Sequence, residues 1–237
     1  MTNPKTFSFT RVERLSILKN CLGVDNVSGL KILDYGGNHG NILKDGLENN
    51  EIVQSDYTCL DVDKLVLDSA KEEYPDANWV FYNRFNQNYN PTGQKRIPFP
   101  FEDDSFDVVF AYSVHSHASY EDVVFDLKEM QRVAKVVCTS ILTPDFAKYI
   151  TMKREYDYGA ENLHPDWYTM DEIEKYRYYI DADQVCTTED EIRNDNDYLI
   201  TVFNKDWLLS MHPEISKFIP PKVVPGLAIQ PFIIIDG

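Results

Sequence analysis

Between residues 31 and 142, short apolar runs alternate with stretches in which apolar side chains recur every three or four positions. The runs predict strands, and the stretches between them, such as 42–50, predict helices. The predicted strands are 31–35, 57–60, 78–82, 106–112 and 136–142. Strands that alternate with helices are typical of a parallel sheet with helices on both faces, which binds ligands at the carboxyl ends of its strands. We therefore expect an α/β fold with a doubly wound, mostly parallel sheet.

Helical spacing also occurs outside this region. Apolar side chains at positions 12, 15, 18 and 22 predict a helix over 10–22, within an N-terminal helical segment, 1–27. Thr169, followed three residues later by Glu172, forms a capping box that predicts a helix to about residue 179. Two further strands are predicted at 184–188 and 198–203.

Residues 144–168 form a connection much longer than the usual ~2 to 6 residues, so we expect them to cap a substrate site. This segment is rich in aromatic side chains, which often line small-molecule pockets. The candidates for contact with a substrate are Tyr149, Trp167 and Tyr168. The alternative is that these rings only pack the cap against the core.

The C-terminal extension, 204–237, contains four prolines between positions 220 and 231, which argue against a helix there. Its run Phe232, Ile233, Ile234 and Ile235 is apolar enough to require burial. Burial is expected either through an added strand or through the contact of a homodimer.

Composition sets the broad class of protein. A chain of 237 residues without internal repeats suits one domain, 1–237. The 39 acidic residues exceed the 23 basic ones, and the formal charge of −16 makes nucleic acid an unfavourable partner. No run approaches ~18 apolar residues and no apolar signal core follows Met1, so no membrane association is expected. The cysteines are widely spaced within apolar runs, as is typical of reduced cysteines in a cytoplasmic protein.

The most informative motif is the turn after the first predicted strand, where Asp34 is followed by Gly36, Gly37, Asn38 and Gly40. Glycines remove Cβ atoms and permit positive φ, so a cofactor can approach bare main chain. Asn tolerates the left-handed region better than other non-glycine residues. The turn resembles the first motif of class I S-adenosylmethionine-dependent methyltransferases, with Asn38 where the middle glycine usually stands.

Further segments are similar to motifs of the same family, in the expected order. Residues 99–111, FPFEDDSFDVVFA, resemble the loop that leads into the family's fourth strand. Residues 113–117 and 127–133 resemble its following histidine-containing segment and helix. The resemblance spans about residues 28–203 and implies a Rossmann-like fold in which the strands at 184–188 and 198–203 are the closing antiparallel pair. It also implies S-adenosyl-L-methionine as cofactor and a small-molecule acceptor.

The resemblance implies the cofactor-binding residues. Asp61 corresponds to the carboxylate that accepts hydrogen bonds from the ribose hydroxyls, and Asp63 is the next candidate. The family's Gly-Asp pair after the third strand is absent, so Asn83 or Asn86 is expected to bind the adenine amino group instead. The full set is Asp34, Gly36, Gly37, Asn38, Gly40, Asp61, Val62, Asn83 and Ser113.

Methyl transfer from a sulfonium needs mainly positioning and desolvation, and a hydroxyl acceptor also needs a base. His117 and His115 are the base candidates, because imidazole titrates near neutral pH and the segment follows the fourth strand. His164 in the cap is a third candidate. His-x-His spacing also occurs in metal sites, but no further ligands stand nearby, so no metal is expected. Both histidines have a structural alternative. His117 would hold its loop by a hydrogen bond, and His115 would face solvent or pack in the core, which is the favoured interpretation of His115.

Two other functions compete with methyl transfer. A nicotinamide-dependent enzyme would need Gly-x-Gly-x-x-Gly, which the turn lacks. The remaining alternative is a catalytically silent protein on the same fold that binds a cofactor or regulates a partner. The acceptor atom, oxygen or nitrogen, is left open by the sequence.

Overall fold

The computed structural model describes residues 13–86, 89–147, 183–187, 201–224 and 227–237. In chain order the elements are α1 (Arg14–Leu22), β1 (Ile32–Tyr35), α2 (Asn41–Glu48), β2 (Tyr57–Asp61), α3 (Lys64–Glu73), β3 (Asn78–Phe81), β4 (Phe106–Ala111), α4 (Tyr120–Val133), β5 (Ala134–Ser140), β6 (Val185–Thr187), β7 (Thr201–Phe203), α5 (Lys205–Met211), β8 (Ile215–Ile219), β9 (Lys222–Val224), β10 (Leu227–Ile229) and β11 (Phe232–Asp236). Short 3₁₀ turns lie at Gln54–Asp56 and His115–His117.

Within the described residues, the central sheet has seven strands in the order β3-β2-β1-β4-β5-β11-β8. Strands β1 to β5 pair in parallel, and β11 runs antiparallel between β5 and β8. This confirms the predicted fold class, a doubly wound, mostly parallel sheet with an antiparallel closing strand. Reversal of strand order beside β1 opens a crevice at the carboxyl ends of β1 and β4, where ligands bind in such sheets.

The prediction of which segments close the sheet was wrong. The segments predicted for this role contain β6 and β7, which form a separate two-stranded sheet among the residues that the structure describes. The closing strands are β8 and β11, both from the C-terminal extension. Strand β11 lies inside the sheet, and residues 232–235 are buried throughout because they are apolar on both faces.

The sheet separates two hydrophobic cores. Along β1, Ile32 contributes to the core beneath α1, α2 and α3, and Leu33 contributes to the core beneath α4 and α5. This alternation follows the period of two in a strand. Asp34, on the same side as Ile32, is therefore placed next to Tyr57 and Cys59 of β2.

The C-terminal extension also contains a helix that the prolines were expected to disfavour. Helix α5 ends at Met211, before the first of those prolines, and Asn204 caps it by accepting a 3.0 Å hydrogen bond from the backbone N–H of Trp207. Of the two expected ways to bury residues 232–235, the added strand is the one observed. Homodimer formation stays a prediction.

Several predictions lie outside the described residues. Residues 148–182 include most of the proposed cap, with Tyr149, His164, Trp167 and Tyr168, and the capping-box helix. The cap and the single-domain organisation stay predictions. In the described parts of the chain, none of the helices has the length and apolar character needed to cross a membrane.

Candidate functional site

A cavity of about 520 Å³ lies at the carboxyl edge of the parallel strands. The glycine turn contributes Gly36 and Asn38, the end of β2 contributes Asp61 and Val62, and the segment after β4 contributes Ser113 and His117. The connection after β3, the start of α4 and the first residue of α1 also contribute to the wall. The volume falls in the range of about 300–1,000 Å³ that is usual for small-molecule sites.

The glycine turn has a backbone that few other residues would adopt. Gly36 has φ 69°, Asn38 has φ 54° and Gly40 has φ 72°. A Cβ at Gly36 would lie 2.5 Å from Val114 Cγ2, and one at Gly40 would lie 2.7 Å from the Trp79 ring. Both close contact and left-handed backbone therefore require glycine at these two positions. Asn38 adopts the left-handed backbone conformation of the turn although it has a side chain.

Asp34 is buried beneath the glycine turn and does not line the cavity. It is 1% exposed, and its Oδ2 accepts a 2.7 Å hydrogen bond from the Tyr57 hydroxyl. A Cβ at Gly37 would stand 2.5 Å from the same oxygen. Burial raises the pKa of Asp34 to about 6, while the Tyr57 hydroxyl and the Arg14 charge lower it. Asp34, Gly37 and Gly40 thus shape the turn from outside the cavity.

Asp61 presents a carboxylate whose orientation is fixed. Its Oδ2 accepts a 2.9 Å hydrogen bond from the backbone N–H of Asn38, and its Oδ1 accepts one of 2.9 Å from that of Asp63. Burial raises the pKa of Asp61, and these two hydrogen bonds lower it. Each carboxylate oxygen has further lone pairs for a ligand hydroxyl. Asp63, by contrast, caps α3 by accepting from the N–H groups of Leu65 and Val66.

The connection after β3 changes the expected adenine contact. Asn83 does not line the cavity, and its Oδ1 accepts a 3.2 Å hydrogen bond from Asn90 Nδ2. Asn86, the other candidate, does line it, together with Phe85. The geometry therefore favours Asn86 over Asn83.

The two histidines of the 3₁₀ turn have different surroundings. His117 lines the cavity. His115 is fully buried, and its Nδ1 lies 2.8 Å from Thr139 Oγ1. His115 Nε2 lies 3.4 Å from Asp126 Oδ2, without hydrogen-bond geometry. Because it is shut away from the cavity, His115 is not positioned to remove a proton from an acceptor, which corrects its place among the base candidates.

Sequence reasoning missed a buried polar cluster on the cavity wall. Arg84 pairs with Asp126, donates a 2.9 Å hydrogen bond to the Tyr35 hydroxyl and lies 3.1 Å from Asp122 Oδ1. The Tyr35 hydroxyl donates to Asp126 Oδ2 at 3.1 Å. Burial, followed by the Asp126 charge, raises the pKa of Tyr35 well above its usual value, which keeps the hydroxyl protonated.

A sequence signal for this cluster existed. Asp126 lies on the same face of α4 as the buried residues Val123, Leu127 and Met130, at helical spacing. A charged residue on an apolar stripe requires a buried partner. Arg14, at the start of α1, and Tyr112, after β4, also line the cavity and were not predicted. Among the residues described, no group of three His, Cys, Asp or Glu side chains is arranged to hold a metal ion.

Comparison with known proteins gives a family for this arrangement. Residues 33–139 match the model of a family described as methyltransferase domain. That span contains the glycine turn, Asp61 and the 3₁₀ turn with His117. A search of curated proteins found no sequence that matches the chain.

Solved structures resemble the whole fold. Magnesium protoporphyrin IX methyltransferase from Synechocystis PCC 6803, with bound S-adenosylhomocysteine, aligns with a TM-score of 0.57 at 8% identity, over 100% of this chain and 90% of that one. An S-adenosylmethionine-dependent methyltransferase from Methanosarcina mazei aligns with a TM-score of 0.50 at 18% identity, over 93% and 96%. The glycopeptide N-methyltransferase MtfA, complexed with sinefungin, aligns with a TM-score of 0.53 at 9% identity, over 94% and 91%.

At these identities the structural neighbours establish the fold alone. The family match covers the part of the chain that contains the strands whose carboxyl ends form the cavity. Residues 33–139 of this chain accordingly match a methyltransferase domain, on a fold that S-adenosylmethionine-dependent methyltransferases share.

Proposed function

We propose that this enzyme transfers a methyl group from S-adenosyl-L-methionine to an oxygen or nitrogen atom of a small molecule, such as an intermediate of natural-product synthesis. The observation that carries the proposal is the continuity of one cavity from the Asp61 carboxylate to His117. A donor held by its ribose at Asp61 has room beside it for an acceptor near His117. Two of the structural neighbours are named as methyltransferases of a porphyrin and of a glycopeptide.

The residues on the cavity wall fit the donor. Asp61 offers lone pairs to two hydroxyls, and Asn86 offers an amide to an adenine edge. The exposed main chain of Gly36 allows a ligand to lie flat on the turn. The bound donor supplies an activated methyl group on its sulfonium, so the protein needs to position the acceptor and exclude water.

The acceptor side of the cavity is lined by Tyr112, Val114, His117 and Ala118. A mixture of aromatic, apolar and titratable groups suits a small molecule with one reactive polar atom. A hydroxyl acceptor would pass its proton to His117, whereas a neutral amine would need only orientation. The chain's formal charge of −16 disfavours a nucleic-acid acceptor.

The test combines donor binding with methyl transfer. Titration calorimetry should show that the full chain binds S-adenosylhomocysteine and does not bind NAD. Methyl-labelled donor is then incubated with separate pools of small phenols, small amines, RNA and protein. We expect label in the phenol or amine pool, and less label with Asp61→Asn at the same donor concentration, set below saturation of wild type.

Other outcomes assign other functions. Donor binding without transfer to any pool would favour the catalytically silent alternative. Label that enters RNA or protein would reject the small-molecule acceptor. Absence of donor binding would reject the proposal as a whole.

A further inference from the structure

Strand β7 belongs to the small two-stranded sheet and packs against the 3₁₀ turn that carries His117. Its first residue, Thr201, is fully buried, and the Thr201 hydroxyl donates a 2.6 Å hydrogen bond to the backbone carbonyl of Ala118. Ala118 directly follows the turn, and both Ala118 and His117 line the cavity. The two ends of this hydrogen bond are 83 positions apart in the chain, so the bond depends on the packing of β7 onto the turn.

The Ala118 carbonyl lies between two hydrogen-bonded segments. Before it, a 3.0 Å hydrogen bond from the His117 N–H to the Val114 carbonyl closes the 3₁₀ turn. After it, the first hydrogen bond of α4 is accepted by the Ser119 carbonyl. Ala118 itself is extended, with φ −124° and ψ 145°. A partly buried carbonyl needs a donor. The Thr201 hydroxyl supplies one, and this fixes the orientation of the peptide group that follows Ala118.

The two histidines of the turn are held in different ways. His115 is fully buried, and its Nδ1 lies 2.8 Å from Oγ1 of Thr139, a residue of β5. His117, by contrast, is an exposed residue on the cavity wall, so burial does not fix its backbone. The chain on the far side of His117 is instead held by β7, through the hydrogen bond from Thr201 to Ala118.

Thr201 is able to hold this carbonyl because β7 is itself firmly placed. The strand is buried throughout, and β6 pairs with it along its whole length. The N–H of Phe203 donates a 2.8 Å hydrogen bond to the carbonyl of Leu142, just after β5. Threonine is β-branched, so its χ1 angle is restricted. The direction of the Thr201 hydroxyl is therefore set by the backbone of β7.

The position of His117 matters because a general base acts only within hydrogen-bond reach of the proton that it removes, about 2.6–3.2 Å. A misplacement of about 1 Å can lower the rate by about 10²-fold. We infer that Thr201 is a positioning residue: by holding the Ala118 carbonyl, it keeps His117 where it can reach an acceptor. The inference rests on the proposed function, because it takes His117 as the base that serves a hydroxyl acceptor.

The experiment removes the Thr201 hydroxyl and follows His117. Thr201→Val has nearly the same shape and lacks the hydroxyl. Thr201→Ala also lacks it and places no methyl group against the Ala118 carbonyl, so it serves if the valine variant does not fold. Thr201→Ser keeps the donor. The control is Thr58→Val on β2, which removes a buried hydroxyl outside the cavity that accepts a 3.4 Å hydrogen bond from Asn78.

Two measurements are made on each full-chain variant. NMR in the presence of S-adenosylhomocysteine records the ring resonances of the histidines, and the His117 signal is the one that is lost in His117→Ala. Methyl transfer is measured from labelled donor to the phenol or amine pool that wild type labels. We expect Thr201→Val and Thr201→Ala to shift or broaden the His117 signal and to lower turnover by about 10- to 100-fold. The His115 signal and the Kd of S-adenosylhomocysteine should stay unchanged, and Thr201→Ser and Thr58→Val should stay close to wild type.

A double-mutant cycle tests whether Thr201 acts through His117. In the His117→Ala background, Thr201→Val should lower turnover no further, because the base that it would displace is gone. Equal losses in both backgrounds would overturn the inference and leave the base assignment intact. A lower melting temperature with unchanged turnover and an unchanged His117 signal would overturn it too, because the hydrogen bond would then support only the fold.

The proposed function fails by different results. A wild-type protein that labels no pool would reject the proposed function, and full turnover in His117→Ala would reject the base. Either result would remove the inference as well. Failure of the inference alone would leave wild-type methyl transfer intact, together with the loss of turnover in His117→Ala.

Discussion

The backbone N–H of Asn38 donates a 2.9 Å hydrogen bond to Oδ2 of Asp61, which joins the glycine turn to the end of β2. The carboxylate's other oxygen is held by the N–H of Asp63. Both contacts come from main chain, so the plane of the carboxylate is set before any ligand arrives. Preorganisation of this kind reduces the entropy that a ligand must lose on binding.

Asp61→Asn should weaken binding of S-adenosylhomocysteine by about 10- to 100-fold, because charge-assisted hydrogen bonds to the ribose would become neutral ones. Asparagine has nearly the same shape, but its NH2 group replaces one of the two oxygens that accept from backbone N–H groups, so some loss of stability is expected as well and the melting temperature is measured alongside. The matched control is Asp76→Asn, which removes one charge from an exposed position before β3. Calorimetry on both variants checks the expectation, and equal affinities in the two would reject the ribose assignment.

Gly37→Ala should destabilise the protein by about 1–3 kcal/mol, the usual cost of overpacking. The new Cβ would stand 2.5 Å from Asp34 Oδ2 and 2.9 Å from Cys59 Sγ. Urea denaturation should therefore show a lower midpoint for Gly37→Ala. In the double variant with Asp34→Ala, the carboxylate that collides with the new Cβ is gone. The double variant should therefore lose less stability than the sum of the losses in Gly37→Ala and Asp34→Ala. Strict additivity would contradict the proposed contact.

The unfolding free energy should depend on pH through Asp34. Burial raises its pKa from the usual 3.8 to about 6, so the folded protein favours the protonated acid. The resulting stabilisation is complete below pH 3.8 and is lost as pH rises through 6, which corresponds to about 3 kcal/mol. Asp34→Asn cannot ionise and escapes this loss. Its stability relative to wild type should therefore increase between pH 3.5 and pH 7, as measured by urea denaturation, and a difference that stays constant with pH would refute the assignment.

Strands β1 and β2 could be predicted from sequence because each is buried on both faces. β1 and β2 are short apolar runs with turn residues after them, and Asp61 stands where β2 meets the cavity. The closing strands could not be chosen by the same reasoning. β7 and β11 are both short and apolar, and only contacts distant in sequence place β11 beside β5. The local pattern of apolar residues indicates where a strand lies and which of its side chains are buried. The packing of the whole chain decides which strands it pairs with.

Local sequence was also insufficient to predict the contacts of single side chains in the site. His115 and His117 are two residues apart in one 3₁₀ turn, but of the two only His117 lines the cavity. Arg84 and Asp126 meet across 42 positions, so their pairing depends on how the connection after β3 crosses α4. Sequence could place charged residues near the strand edge, but it could not say which charges neutralise each other.

Arg84→Met should destabilise the protein by about 3–5 kcal/mol, because it leaves the Asp126 carboxylate buried without its cationic partner. The companion variant Arg84→Met with Asp126→Leu removes both charges and should recover much of that loss. Arg96→Met is the control, since Arg96 reaches Asp122 from a largely exposed position and such pairs contribute about 0–1 kcal/mol. Thermal and urea unfolding measure all three, and similar losses for Arg84→Met and Arg96→Met would contradict the importance of the buried cluster.

His117→Ala should lower turnover by about 10²- to 10⁴-fold if the acceptor is a hydroxyl, the scale of a lost general base. Affinity for S-adenosylhomocysteine should change little, because the proposed ribose contact, Asp61, lies at the end of another strand. His115→Gln is the comparison within the same turn: it removes a buried hydrogen bond to Thr139 and should lower the melting temperature. Steady-state kinetics and calorimetry on both variants separate a chemical effect from a structural one.

The pH profile alone does not identify the base. With a hydroxyl acceptor, wild-type activity should rise through an ionisation near neutrality, as imidazole loses its proton, and His117→Ala should lose that limb. An amine acceptor also gives a rising limb, because the amine must be neutral to attack. In that case His117→Ala would keep both the limb and most of the turnover. A retained limb would therefore reject His117 as base and favour positioning of a neutral amine as the mechanism.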